Sequence, residues 1–340
     1  MFRSVGIFLL RCLLYLFVFC RDSIESLLRA ARVHVNNPIS SIKPRFQRRA
    51  YYSSGPGFYI HADSHLKLIN FGQISISAFV DGYSRFILGL QVHVNAEPRQ
   101  TLQLYLDCIQ RYGLFRALRT DRGPEFNLVD FAHVYLHKLY FGEEASAEHV
   151  LSKGTSTANS RVESLWSRLQ ALQLAKYLHA FRVLRGLNES FVDMTDAMIR
   201  SAFQIAFVPF IAAAVSEFQQ WWNGHRIRRS KQSVGTGSLP GRPVMLFMHP
   251  PAPARRFIEN RSDLSQQCDF LRQQLLGDAP LPAFITCAPN EFQAYERVVE
   301  ASARSLGFDR KCWSFEQAIE SHQHLVNTYL AGLFQSHSAS

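Results

Sequence analysis

Ile74-Ser75-Ile76-Ser77-Ala78-Phe79-Val80-Asp81-Gly82-Tyr83-Ser84-Arg85-Phe86-Ile87 is the stretch on which the fold turns. Ile74, Ile76, Ala78 and Val80 alternate with Ser75, Ser77 and Phe79, a period of two that predicts a strand over residues 73–81. Asp81-Gly82 is a hairpin turn signal, and Phe86 to Val94 is apolar enough to return as the partner strand. Downstream, Leu102, Leu104, Tyr105, Leu106, Cys108 and Ile109 spread over one buried helical face that Gly113 stops. Leu114 to Thr120 then reads as a short strand delivering Asp121. With a strand upstream through Asp63 and a helix downstream, the order is strand, strand, strand, helix, strand, helix. That order predicts an α/β fold: a mixed sheet with flanking helices, in which antiparallel hairpins feed the sheet.

Three acids stand in distinctive settings along this frame. They are Asp63 in His61-Ala62-Asp63-Ser64-His65, Asp121 in Arg119-Thr120-Asp121-Arg122-Gly123-Pro124-Glu125-Phe126, and Glu163 in Asn159-Ser160-Arg161-Val162-Glu163-Ser164-Leu165-Trp166. Taken singly, each has an ordinary reading: a strand-closing Asp is usually a turn residue, and a lone helical Glu a solvated one. Their flanks change the weighing. Arg48-Arg49-Ala50-Tyr51-Tyr52 with Gly55-Pro56, the hairpin around Asp81-Gly82, Lys153-Gly154-Thr155-Ser156, and Trp221-Trp222-Asn223-Gly224-His225-Arg226 follow one another in order, closing with Gly241-Arg242-Pro243. Together these segments resemble the catalytic core of retroviral-type integrases and DDE transposases, in particular the integrase-core proteins derived from mobile elements in fungal and animal genomes. The resemblance runs from about Arg48 to Phe247.

The resemblance implies an RNase H-like mixed sheet with flanking helices, followed by a helical C-terminal extension. It also implies that Asp63, Asp121 and Glu163 are the catalytic acids and hold two Mg²⁺ (or Mn²⁺) ions. Such an all-oxygen site cuts and rejoins phosphodiester backbones without a covalent protein intermediate. Between Asp63 and Asp121 lie 121 − 63 − 1 = 57 residues, and between Asp121 and Glu163 lie 163 − 121 − 1 = 41. The second interval is longer than the usual retroviral one, and a longer loop absorbs the excess at little entropic cost. Thr157 or Asn159 can cap a helix running through Trp166, Leu169 and Leu172, with Glu163 about one turn inside it. Lys153, Asn159, Arg161 and Arg168 are then placed to meet DNA near that helix start, although Arg161 and Arg168 read equally as solvated helix charge.

A formal net charge of +10 fits a polyanionic partner, nucleic acid or anionic lipid. The charge concentrates at Lys43, Arg45, Arg48 and Arg49 and again at Arg226, Arg228, Arg229 and Lys231. Trp221 and Trp222 read as core packing rather than base stacking. The expected partners are DNA and further copies of the chain assembled on it, with nuclear location if it acts on host DNA. Membrane association is the weaker expectation: residues 5–20 are strongly apolar, but Arg11 interrupts them and they are shorter than a spanning helix needs.

Four regions follow from this reading: an apolar and basic segment 1–47, the RNase H-like core 48–178, its helical extension 179–250, and a C-terminal helical region 251–340. The six cysteines form no C-x-x-C pair, which indicates neither a zinc ribbon nor a disulfide framework. His133 and His137 have ligand spacing but no metalloprotease Glu between them, so they read as surface or core histidines. No P-loop or dinucleotide fingerprint is present. Three function classes follow: a DNA strand transferase, a catalytically silent DNA-binding or interaction module on the same fold, and a membrane-anchored interaction protein that requires residues 5–20 to insert.

Overall fold

A computed structural model describes residues 51–94, 97–121, 123–142, 146–153, 160–228, 239–277 and 289–338. The N-terminal segment, with its apolar stretch and the cluster Lys43 to Arg49, lies outside them, as do Asn159, Arg229 and Lys231.

The alternating stretch forms the centre of a sheet. β1 (Ile60–His65), β2 (Ile74–Asp81) and β3 (Ile87–Val94) are successive antiparallel neighbours. Asp81-Gly82 closes the β2–β3 hairpin through a wider loop than a two-residue turn. Asp81 N–H donates to Phe86 O, Arg85 N–H donates to Asp81 O, and the positive φ falls on Arg85 at 65°. Asp81 is wholly buried, and its carboxylate accepts from Gly57 N–H, Ser84 N–H and Ser84 Oγ.

α1 (Pro98–Tyr112) follows and ends at Gly113, whose φ of 98° is the left-handed conformation glycine tolerates. The stretch expected as one strand from Leu114 to Thr120 is divided. β4 (Leu114–Phe115) belongs to a separate ribbon, and β5 (Leu118–Thr120) runs parallel to β1. The division occurs where the backbone changes partners: Arg116 N–H donates to Gly57 O, and Ala117 O accepts from Ile60 N–H.

After a 3₁₀ turn at Pro124–Phe126 come α2 (Asn127–Phe141), the single turn α3 (Ala147–Val150) and β6 (Leu151–Lys153), parallel to β5. The five-stranded order is β3-β2-β1-β5-β6. α4 (Ser160–Leu169) passes through a π turn at Gln170–Leu174 into α5 (Ala175–Leu187). α6 (Ala197–Gly224), α7 (Pro243–Met248), β7 (Ile258–Glu259), α8 (Leu264–Leu276), α9 (Pro289–Ser305) and α10 (Phe315–Ser338) complete the described chain. β7 pairs antiparallel with β4.

Two apolar cores lie on the two faces of the sheet. Ile76, Ala78 and Val80 meet Val162, Leu165, Phe203 and Phe207 from α4 and α6, while Ile60, Ala62 and Phe79 meet Tyr105, Phe126 and Leu271 from the α1, α2 and α8 side. The family-type fold expected from the sequence is therefore present: a mixed sheet, flanking helices, and further helices beyond. Among the described residues α6 alone is long and apolar enough to cross a membrane, and 67% of its most apolar stretch is buried inside the protein. It is tied to the sheet by polar bonds: Asn223 exchanges two with Ile87, Trp222 Nε1 donates to Arg85 O, and Gln204 Nε2 donates to Gly72 O.

Candidate active site

The pleat of β1 sorts its side chains. Ile60 and Ala62 enter the core on the α1 side, so His61, Asp63 and His65 face the α4 side, opposite Val80, Ala78 and Ile76 of β2. Parallel pairing then brings in the second acid. Ile60 lies opposite Leu118 and His61 opposite Arg119, an offset of 58 residues, and 63 + 58 = 121. Asp121, the residue after β5 ends, therefore continues the register beside Asp63.

Asp63 is held at both oxygens. Ser64 N–H donates to Oδ1 at 2.9 Å, and the indole N–H of Trp166 on α4 donates to Oδ2 at 2.8 Å. Burial pushes its carboxyl up to about 6; the two donors pull the other way, and the charges of Asp121 and Glu125 push it further up. Asp121 Oδ1 accepts from Gly123 N–H at 3.0 Å, a local turn that fixes the carboxylate at the strand end. Glu163 lies on α4 three residues before Trp166, exposed at the surface of a helix that Val162 and Leu165, both fully buried, pin to the sheet.

The structure thus brings Asp63 and Asp121 side by side and puts Glu163 on the helix that touches Asp63. Among the described residues no three His, Cys, Asp or Glu side chains gather closely enough to hold a metal ion. Residues 154–159, which lead into α4, lie outside the described residues. The donor chemistry of the pair fits a hard cation. Both are carboxylates, each oxygen of Asp63 has one donor and keeps a free lone pair, and their mutual repulsion is of the kind a divalent ion relieves.

Glu125, four residues after Asp121, is a further acid at this site to which its sequence context assigns no role. Its side chain is nearly buried and folds back over Gly123, where any Cβ would collide with its carboxylate. Burial raises its proton affinity, and the charge of Asp121 adds to this. The sequence signal that could have found it is its position one turn after Asp121, in the same Gly-Pro turn.

The cationic residues expected to meet DNA have varied settings. Lys153 points to the α2 side, the face away from Asp63, in a 2.8 Å ion pair with buried Asp130. Arg161 lies with its guanidinium 4.2 Å from the centre of the Tyr51 ring, and burial lowers its proton affinity. Tyr51 in turn bonds His61 Nε2 at 2.7 Å. Arg168, Arg226 and Arg228 are exposed. Arg226 and Arg228 flank Ile227, whose N–H and C=O pair with Gly241, so they project to the same side.

Trp222 is buried as expected, while Trp221 is 46% exposed and stacks on His225 with ring centres 4.5 Å apart. His133 and His137 are core histidines: the first bonds the Tyr105 hydroxyl and the second donates to Phe115 O, both at 2.7 Å. Burial pushes both toward the neutral form.

A family model of the integrase core domain matches residues 50–238, more than half of the chain. A search of curated proteins found no match.

Proposed function

The chain belongs to the integrase core domain family, and from that premise we propose that it is a DNA strand transferase of the DDE type that cleaves DNA ends and joins them to a target. Membership marks the chain for integrase- or transposase-like processing of nucleic acid, with DNA as the partner class. The observation that carries the finer reading is that Asp63, inside β1, and Asp121, the residue after the parallel strand β5, are close enough for the charge of one to act on the other, near the helix that carries Glu163. Asp63, Asp121 and Glu163 would hold Mg²⁺ or Mn²⁺, and the metal would supply Lewis-acid stabilisation of the attacking and leaving oxygens. The chain's own residues set the stage for this. Trp166 and Ser64 N–H fix the rotamer of Asp63, and the Asp121–Gly123 turn fixes that of Asp121. Arg161, packed on Tyr51, anchors the first turn of α4 to the lead-in of β1.

Mg²⁺-dependent joining of labelled DNA ends tests the reading. Wild type should join ends, and Asp121→Asn, which keeps the size but removes the charge, should fall to background while still melting cooperatively and binding DNA. Equal rates in the two proteins would refute the mechanism.

A second reading takes the exposed position of Glu163 on α4 as its starting point: a catalytically silent, DNA-binding module on the same fold. It expects wild type to bind DNA and to join nothing in Mg²⁺ or Mn²⁺. Assembly into homo-oligomers on DNA and nuclear location accompany the first reading.

A further inference from the structure

Away from the acids, at the starts of β1 and β5, the lead-in to β1 and the β4–β7 ribbon form a small platform. Phe257 N–H donates to Pro56 O at 2.7 Å, Arg116 N–H donates to Gly57 O at 2.9 Å, and Phe115 lies opposite Ile258. Five exposed arginines, Arg111, Arg116, Arg255, Arg256 and Arg261, surround it, each with its guanidinium over an aromatic ring. Arg116 lies 5.2 Å from the Phe58 ring and Arg255 5.1 Å from Phe257, and those two rings meet edge-on at 4.9 Å. Arg256 and Arg111 cover Phe247 and Tyr112, a second edge-on pair at 5.8 Å. Among the described residues Arg261 is the one member with an acidic partner, exposed Glu259 at 3.9 Å.

Among the described residues, Arg111, Arg116, Arg255 and Arg256 are held by rings rather than by carboxylates. A stacked guanidinium keeps its N–H edge free, loses little further side-chain entropy on docking, and is weakly hydrated. Glu259 and Asp263 both stand beside Arg261, the latter accepting from Tyr140, so the uncompensated charge is concentrated at Arg111, Arg116, Arg255 and Arg256, a field suited to a row of phosphates. Phe58, Tyr112, Phe247 and Phe257 lie beneath the charges and are not exposed apolar side chains, whereas Phe141, under Arg261, and Met245 and Met248, beside Phe247, are exposed, which is why the test below includes anionic vesicles. Arg255, Arg256 and Arg261 lie beyond residue 238, where the family match ends. From Ile60, where β1 begins beyond this platform, to Asp63 the strand advances three residues, roughly 10 Å.

We propose that this platform is a second nucleic-acid surface, which grips the phosphate backbone of duplex DNA at a place separate from the acids.

The test is equilibrium binding of the full chain to a labelled duplex of about 30 base pairs in EDTA, titrated between about 50 and 200 mM salt. EDTA makes the outcome independent of the strand-transfer reading, which can fail without affecting it. The combined variant Arg116→Gln, Arg255→Gln and Arg256→Gln should weaken binding by about tenfold or more and flatten the log–log salt slope by about two to three. The matching Lys variant should retain most of the slope. Should the triple Gln variant fail to fold, Arg255→Gln alone should reduce the slope by about one. An unchanged slope in a folded variant overturns the proposal, as does an equal loss in the Lys variant, which would assign the effect to packing. Absence of DNA binding by wild type overturns it too, as does binding to anionic vesicles that falls in the Gln variants while DNA binding holds.

Discussion

Asp63 sits where burial and two neighbouring acids oppose its charge, and that opposition has a measurable sign. Its folded value is about 6 against 3.8 for the free side chain, so between those values the folded state binds more protons than the unfolded one. Stability should therefore be fullest below about pH 4, fall as pH rises toward 6, and change no further on account of this group above it. The ceiling is about 3 kcal/mol for a shift of about two units. Asp81, also raised to about 6 by burial, titrates in the same window. Chemical denaturation of the metal-free protein from pH 4 to 7 should show the decline, and Asp63→Asn should make it shallower without abolishing it. An identical slope in the variant would mean that Asp63 ionises as if exposed. Part of this site was legible in the sequence: Asp121 follows directly on the end of β5 as expected, whereas Asp63 lies inside β1, two residues before its end. What could not be read was the environment of each acid, because Trp166 and Glu125 reach Asp63 only through the fold. Nor was the buried role of Asp81, which a turn signature presents as a solvent-facing residue but which here accepts from Gly57, 24 positions away.

At the scale of elements, the helix bearing Glu163 departs from the sequence expectation in one instructive respect. A regular helix through Trp166, Leu169 and Leu172 would bury all three, yet Leu172 is 52% exposed. The buried seam runs Val162, Leu165, Leu169, then steps five residues to Leu174 before resuming at Tyr177, Leu178, Phe181 and Leu184. The π turn at Gln170–Leu174 absorbs that extra residue and returns the apolar face to the sheet. Periodicity alone hides such an insertion, since either side of it looks like an ordinary amphipathic helix. Deleting Leu172 should convert the step of five into a step of four and leave a continuous seam, so the variant should melt cooperatively within about 1 kcal/mol of wild type. Deleting Ala180 instead turns Phe181 and Leu184 off the seam, and the loss of two buried apolar side chains should cost about 3–6 kcal/mol. Thermal melts of the two deletions decide the matter: equal damage from both would mean that the π turn is needed for more than register. The division of Leu114–Thr120 into β4 and β5 has the same origin, for a strand's partners are set by distant segments that its own sequence does not name.

For the whole molecule, the boundary of the family match and the boundary of the folding unit are different. Residues 251–340 carried almost no chemical signal, yet the described residues from Tyr51 onward belong to one compact unit, and its C-terminal helices complete both cores. α8 contributes Leu264, Cys268 and Leu271 to the core beside α1, while Val299, Ala318, Leu325 and Val326 from α9 and α10 are buried against α6. His322 donates through Nε2 to Phe191 O at 2.7 Å, its ring edge-on to Phe203 and Phe207. Phe315 meets Tyr177, Phe181, Phe207 and Phe210. Removing α9 and α10 would expose the apolar side of α6, the helix already apolar enough to pass for a membrane span. Three of the buried side chains lost with them, Val299, Leu325 and Val326, at about 1.5–3 kcal/mol each amount to about 4–9 kcal/mol, comparable to the whole stability of a typical domain. A chain ended at Gly277 should therefore lose its cooperative melt, bind a hydrophobic dye, or aggregate, although it keeps every residue of the family match and every acid of the site. Co-expressed residues 289–340 should restore solubility if the loss is one of coverage alone. A cooperative melt from the truncated chain at the temperature of the full one would show instead that the core domain closes its own apolar face, and that α9 and α10 are accessories to it.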